Sequence, residues 1–263
     1  MFGHFERELG ERTRLSFGIR GEHRNTDYSD TAGLVTGPSE SMWGGDVTLM
    51  HDVSGTVTGF VSLSKGYKAG GFNLGLVPDD RREFGDETML NLEAGIKSGW
   101  LDNTLQLNAS VFVSRREDQQ VRTSFQLDPG DPASFVFFTD NAAEGDTIGL
   151  EADIRWAPAE RWSLYATLGW LDATFDRFET PQVILNGREQ AHAPSYTLAA
   201  GAGYEHPNGL FARLDVSARD AFYFDVSHDE QSESYSLANA RIGYRNEQWT
   251  VQLWARNLFD EAY

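Results

Sequence analysis

Cysteine is absent from the 263 residues. That absence excludes a disulfide framework, a thiol nucleophile and any Cys-ligated zinc or iron–sulfur centre, and it leaves the compartment open. Positive charge is scarce: 22 Lys and Arg stand against 40 Asp and Glu, a formal charge of −18. A nucleic-acid binder needs a basic face to meet phosphate, so that class is excluded. No run of 18 apolar residues occurs, and mean hydropathy is −0.45, which rules out a transmembrane helix. A strand-built membrane protein is not ruled out, because its strands alternate lipid-facing and inward-facing side chains and average to a polar value. The opening MFGHFERELGERTR has no apolar stretch and mixes acids with bases, so it is neither a signal nor a transit peptide; an exported chain would need its signal from elsewhere.

What is present is alternation. Asn103–Arg115 places Leu105, Leu107, Ala109, Val111 and Val113 on one face and Gln106, Asn108 and Ser110 on the other. Ile148, Leu150, Ala152, Ile154 and Trp156 oppose Gly149, Glu151, Asp153 and Arg155, while Leu210, Ala212, Leu214, Val216 and Ala218 oppose Arg213, Asp215, Ser217 and Arg219. Leu15, Phe17 and Ile19 repeat the pattern. Period two fits these windows and helical spacing does not, so the chain reads as antiparallel β.

The alternating runs last about 10–13 residues, against about 5–6 in soluble sandwiches. Tilted near 45°, such runs span the roughly 25 Å apolar band of an outer membrane. Short turns at His51–Gly55, Trp100–Asn103, Pro158–Arg161, His206–Gly209 and Asn246–Gln248 alternate with long acidic loops near Asn25–Ser41, Tyr67–Glu87, Glu117–Asp146, Asp172–Ala193 and Asp220–Ser234. Trp100, Trp156, Trp162, Trp249, Tyr204 and Tyr244 lie beside short turns, with Trp43 and Trp170 near the long-loop ends. Amphipathic rings gather at headgroup level, so these read as interfacial girdles in preference to ordinary packing at hairpin ends. There is no domain boundary or repeat, so residues 1–263 form one unit.

Four segments carry a resemblance: LSKGYKAGGFN at Leu63–Asn73, ETMLNLEAGIKS at Glu87–Ser98, NAAEGDTIGLEADIRW at Asn141–Trp156, and WARNLFDEAY at Trp254–Tyr263. In order and spacing they resemble the C-terminal half of the barrel of TonB-dependent outer-membrane receptors. The resemblance implies an all-β, up-and-down antiparallel meander of about 12 strands, part of a transmembrane barrel. It implies energy-coupled uptake of a nutrient such as a ferric siderophore, in the bacterial outer membrane. Implied partners are membrane lipid and lipopolysaccharide, and a TonB-type coupling protein reached through a plug region; no nucleic acid, resident cofactor, catalysis or oligomer is implied. The plug and the closing strand of the family are not matched, so the expectation is an open, partial barrel with edges at Phe2–Glu8 and Trp249–Phe259.

The chemistry-bearing residues fit that frame. The glycines of KGYKAGG are followed by no helical period and bend a strand into a loop instead of cradling phosphate. Tyr67, Lys68, Phe72 and Asn73, with the doublets Arg81–Arg82 and Arg115–Arg116, are candidate contacts for a ligand or for lipopolysaccharide phosphate at the outer mouth. Glu93, Lys97, Glu151, Asp153, Arg155, Arg213, Arg241 and Arg256 fall on polar strand faces and read as a charged lumen lining before they read as acid–base catalysts. The histidines (His4, His23, His51, His192, His206 and His228) show no metal-ligand spacing, and no strand carries a Ser–His pair on one face. The competing readings are a complete small barrel, porin or hydrolase, and a secreted carbohydrate-binding sandwich.

Overall fold

The computed structural model describes every residue except 30, 32, 76, 132, 180–183, 227 and 228, together with all side chains of its strands but that of Phe125. His228 therefore lies outside the described residues. Alternating stretches become strands, in the order β1 (Phe2–Gly10), β2 (Thr13–Asn25), β3 (Tyr28–Ser29), β4 (Val35–Thr36), β5 (Ser39–Ser54) and β6 (Val57–Lys68). There follow β7 (Gly71–Phe72), a 3-10 turn at Asp79–Arg81, β8 (Glu83–Phe84), β9 (Glu87–Trp100), β10 (Leu105–Gln126) and β11 (Phe135–Trp156). The last five are β12 (Trp162–Phe178), β13 (Tyr196–Glu205), β14 (Leu210–Arg219), β15 (Tyr235–Arg245) and β16 (Thr250–Ala255).

Twelve of these form one sheet in the order β1-β2-β5-β6-β9-β10-β11-β12-β13-β14-β15-β16, and β3-β4 and β7-β8 are small hairpins in the loops. Sequential antiparallel neighbours make it a meander. β1 and β16 do not pair with each other, so the sheet is open, with both edges where the alternation placed them. The second edge is shorter than Trp249–Phe259. After Ala255 regular pairing ends at a left-handed Asn257 (φ 49°), and a single bond, Leu258 N to Ala238 O of β15 at 2.8 Å, still ties the chain to its neighbour.

Strand length departs from the expected 10–13 residues on one side. β10 and β11 have 22 residues each, and β12 has 17. The span Glu117–Asp146 is thus largely a protruding hairpin, joined through residues 127–134, and not a loop. Irregularities between Arg116 and Gln119 and between Gln119 and Gln120 shift its register, with Asp118 at φ 52°. A bulge inserts an unpaired residue and dephases the alternation, which hides the continuing strand from a period-two reading.

Short turns close the other side, among them one at residues 11–12 besides those expected from the sequence. At the turn before β14, Gly209 has φ +94° and a Cβ there would lie 2.1 Å from Arg245 O, so only glycine fits. Near these turns the aromatic rings pair: Trp162 with Tyr204 at 4.8 Å between centroids, and Tyr244 with Trp249 at 5.7 Å.

Register fixes the two faces. The rows Val113–Ile148, Val111–Leu150 and Leu107–Ile154 share one face, as do Leu214–Ala240 and Ile242–Leu253, and these apolar side chains are largely exposed. Ser98, on that face, turns its hydroxyl to Leu107 O at 2.6 Å, which removes a free donor from an apolar surface. The other face curves around a cavity of about 630 Å³ that takes side chains from seven successive strands, β5 to β13. A flat sheet could not bring these to one space. That face is concave.

Buried apolar packing lies beyond the aromatic ring at Trp170. Val121, Ala143, Phe175 and Phe178 cluster there, the last two at 1% and 2% exposure, with rings 5.0 Å apart. We call this extramembrane part the crown and the part between the aromatic rings the wall.

Candidate functional site

Glu93, Lys97, Glu151 and Asp153 line the 630 Å³ cavity of the concave wall, among Thr58, Asn108, Ser110 and Thr167. Lys97 sits opposite both Thr58 and Asn108, and Asn108 sits opposite Asp153, so one polar row crosses four strands. None of these four charged groups has a salt bridge within 4.0 Å among the described residues. Arg155 lies on the adjoining row, opposite Gln106 and Tyr165.

A second cavity of about 710 Å³ stands against β14–β16 and holds Arg213, Arg241 and Arg256. Asp215 accepts from Arg213 Nε at 2.9 Å and from Tyr165 Oη at 2.9 Å. Gly201, between Tyr165 and Asp215 in the ladder, makes that reach possible. A Cβ there would fall 2.2 Å from the tyrosine ring and 2.6 Å from the carboxylate. The same device recurs along the concave face, with Phe60 lying over Gly95 and Phe112 over Gly149. Asp215, Tyr165, Asn239, Gln252 and Trp254 complete the surroundings of the arginines. Asp215 was legible as the i+2 neighbour of Arg213; the others depend on register.

The candidates at the outer mouth fall into separate groups. Lys68 and Arg116 meet at Glu87, at 3.8 and 3.2 Å, and Glu87 also accepts from Gln120 N at 3.0 Å. Asn73 is buried: its Nδ2 donates to Arg81 O and Thr139 O, each at 2.8 Å, and its Oδ1 accepts from Thr139 N at 2.8 Å. Arg81 pairs with Asp140, and Arg82 donates to Gly75 O at 3.0 Å and Val77 O at 2.8 Å. Phe72 stacks on Tyr28 at 4.9 Å, and Tyr67 Oη donates to Glu22 at 3.1 Å. Arg115 lies within 4.0 Å of Glu117, Glu144, Asp146 and Asp176. Partial burial, then the charge of Asp176, raises the Asp146 pKa, with Arg115 opposing. Many of these polar atoms fasten the crown's loops, while Lys68 and Arg115 stay largely exposed.

A Ser–His pair does form: His23 Nδ1 and Ser41 Oγ are 2.9 Å apart across β2 and β5. Eighteen residues separate them, so only register reveals the contact. Thr13 and His51 repeat the geometry at 2.9 Å. No third group orients either imidazole among the described residues, which leaves cross-strand hydrogen bonds without the relay a nucleophile needs. Among the described residues no three His, Cys, Asp or Glu side chains are grouped to hold a metal ion.

Long strands with an apolar convex face, a polar concave face, aromatic rings at the turns and a crown on one side define an outer-membrane barrel wall. Residues 2–258 match the family described as TonB dependent receptor-like, beta-barrel, and the chain belongs to that family of outer-membrane receptors. The pesticin receptor of Yersinia pestis is 25% identical over 218 residues, covering 78% of this chain and 29% of that protein. The probable TonB-dependent siderophore receptor PiuA of Acinetobacter baumannii is 24% identical over 249 residues, 91% of this chain and 31% of that protein. The crystal structure of the ferric yersiniabactin uptake receptor FyuA from Yersinia pestis superposes with a TM-score of 0.78 at 20% identity, over 99% of this chain and 40% of that one. The chain thus spans about a third of the length of the relatives it matches.

Proposed function

We propose that this chain supplies part of the barrel wall of a receptor that takes up a scarce nutrient across the outer membrane, driven by a TonB-type protein, with a ferric siderophore as the substrate class. The observation that carries this is the pairing of an apolar convex face with a charged concave row, free of salt bridges among the described residues, in a chain whose family is that of TonB-dependent receptors. Relatives named as siderophore receptors support the choice of substrate. In this reading the wall makes and breaks no bond and holds no resident cofactor; iron is cargo. Lipid meets the convex face, lipopolysaccharide meets the crown, and the receptor works as a monomer. A porin or hydrolase is disfavoured by the family match and because, among the described residues, no group orients His23 beyond its contact with Ser41.

The test is uptake of radiolabelled iron, offered as ferric catecholate and ferric hydroxamate complexes, in cells with and without the complete receptor. Loss of uptake of one complex in the deletion strain, and equal loss when the coupling protein is removed, is the expected result. Unchanged uptake of every complex would discard the reading.

A further inference from the structure

We propose that the concave wall at β14–β16 is an oxyanion-binding site, whatever nutrient the receptor carries. Arg213 and Arg241 sit directly opposite each other in the β14–β15 ladder, on the same face. Like charges in that relation destabilise a sheet unless something neutralises them. Arg256 lines the same 710 Å³ cavity, its guanidinium 5.1 Å from the Trp254 ring centroid. Three guanidinium groups thus share one space in a chain of net charge −18.

The single carboxylate there is already committed. Asp215 takes Arg213 Nε on both oxygens at 2.9 Å, one Arg213 terminal nitrogen at 2.8 Å, and Tyr165 Oη at 2.9 Å. Arg241 and Arg256 have neither a carboxylate within 4.0 Å nor a side-chain hydrogen bond among the described residues. Asn239 lines the same space, and its Oδ1 is occupied as the acceptor for Asn257 N at 3.1 Å. Donors therefore exceed acceptors, and they include planar forks matched to two oxygens of one anion. The ligand class is a carboxylate or phosphate group. It comes either from a diffusing solute or from a polypeptide segment held in the lumen.

The probes are inorganic phosphate and citrate, titrated calorimetrically at low salt into the 263-residue chain refolded in detergent, and into the complete receptor. Saturable binding is expected, weakened roughly tenfold or more by Arg241→Gln or Arg256→Gln, as for loss of a charged donor. Arg177→Gln in the crown should leave it unchanged. Arg241→Lys, which keeps charge but not the fork, should restore part of the affinity and guards against a variant that merely misfolds. Binding in both forms assigns the site to a diffusing anion; binding in the chain but not in the complete receptor assigns it to a carboxylate of the receptor's own polypeptide. Either result supports the site. Absence of binding in both forms, or equal affinity in the wild type and both glutamine variants, overturns it.

Discussion

At Ala166 the sheet is one layer thick, with an apolar face on one side and a polar concavity on the other. Nine residues further along the same strand, Phe175 sits at 1% exposure in a dry cluster with Val121, Ala143 and Phe178. The wall and the crown share their strands but differ in solvent. Between the aromatic rings the apolar side chains stand exposed on the convex face with no second layer over them, and what holds the wall is backbone hydrogen bonding through the ladder. Above them water surrounds the chain and burial again drives packing. The arginines divide likewise. In the crown Arg81, Arg115, Arg116 and Arg177 each pair with a carboxylate; in the wall Arg213 pairs with Asp215, whereas Arg241 and Arg256 have no carboxylate within 4.0 Å among the described residues. Crown pairs fasten loops, and the one pair among the β14–β16 arginines leaves two guanidinium groups over.

The comparison can be broken at several points. The largest effect belongs to Phe175→Ala, which should cost about 3–5 kcal/mol by opening a cavity in a packed core. Crown opening, followed by protease sensitivity against urea, should shift while the strand content of the wall holds. Next, Ala166 lies midway between Trp162 and Trp170 on the convex face of β12, a span of about 26 Å along the strand. Ala166→Arg should cost about 2–4 kcal/mol for a charge at mid-bilayer, while Thr167→Arg on the concave face should cost little; equal melting shifts in lipid would refute the assignment of faces. Gly201→Ala forces the new methyl group against Tyr165 and Asp215 and should cost about 1–3 kcal/mol of overpacking, read as a lower unfolding temperature that Tyr165→Leu partly rescues.

The smallest effect sharpens the electrostatic half. Because the folded-state pKa of Asp146 is raised, the folded crown holds its proton more tightly than the unfolded chain. The stability this confers is present at low pH and is lost as pH rises through the folded pKa. Asp146→Asn should therefore flatten that pH dependence, on the high side of the ordinary carboxylate range, and make the crown harder to open at neutral pH. A variant with the wild-type pH profile of protease sensitivity would refute this.

Much of the wall was legible because an apolar face backed by a polar face writes a period of two into the sequence. Val111, Ile148 and Leu214 show their face without any knowledge of their neighbours. The crown was not legible for the converse reason. Phe175 and Phe178 fall in a stretch rich in acids, and they are buried by Val121 and Ala143 from distant strands, a tertiary fact with no local period. The site divides along the same line. The polar face of Glu93, Glu151 and Asp153 follows from alternation, but the confrontation of Arg213 with Arg241 depends on the register of a hairpin joined by a long loop.

The glycines beneath Phe60, Phe112 and Tyr165 have a consequence for bore. A ring that stands up from a barrel wall narrows the passage by its own length on every turn of the sheet. Here each ring lies down across the neighbouring strand, in the depression a missing Cβ leaves, and covers exposed backbone with its own plane. These three large side chains thus cover and stiffen the concave face of the wall while their bulk lies along the sheet and not across the space it encloses.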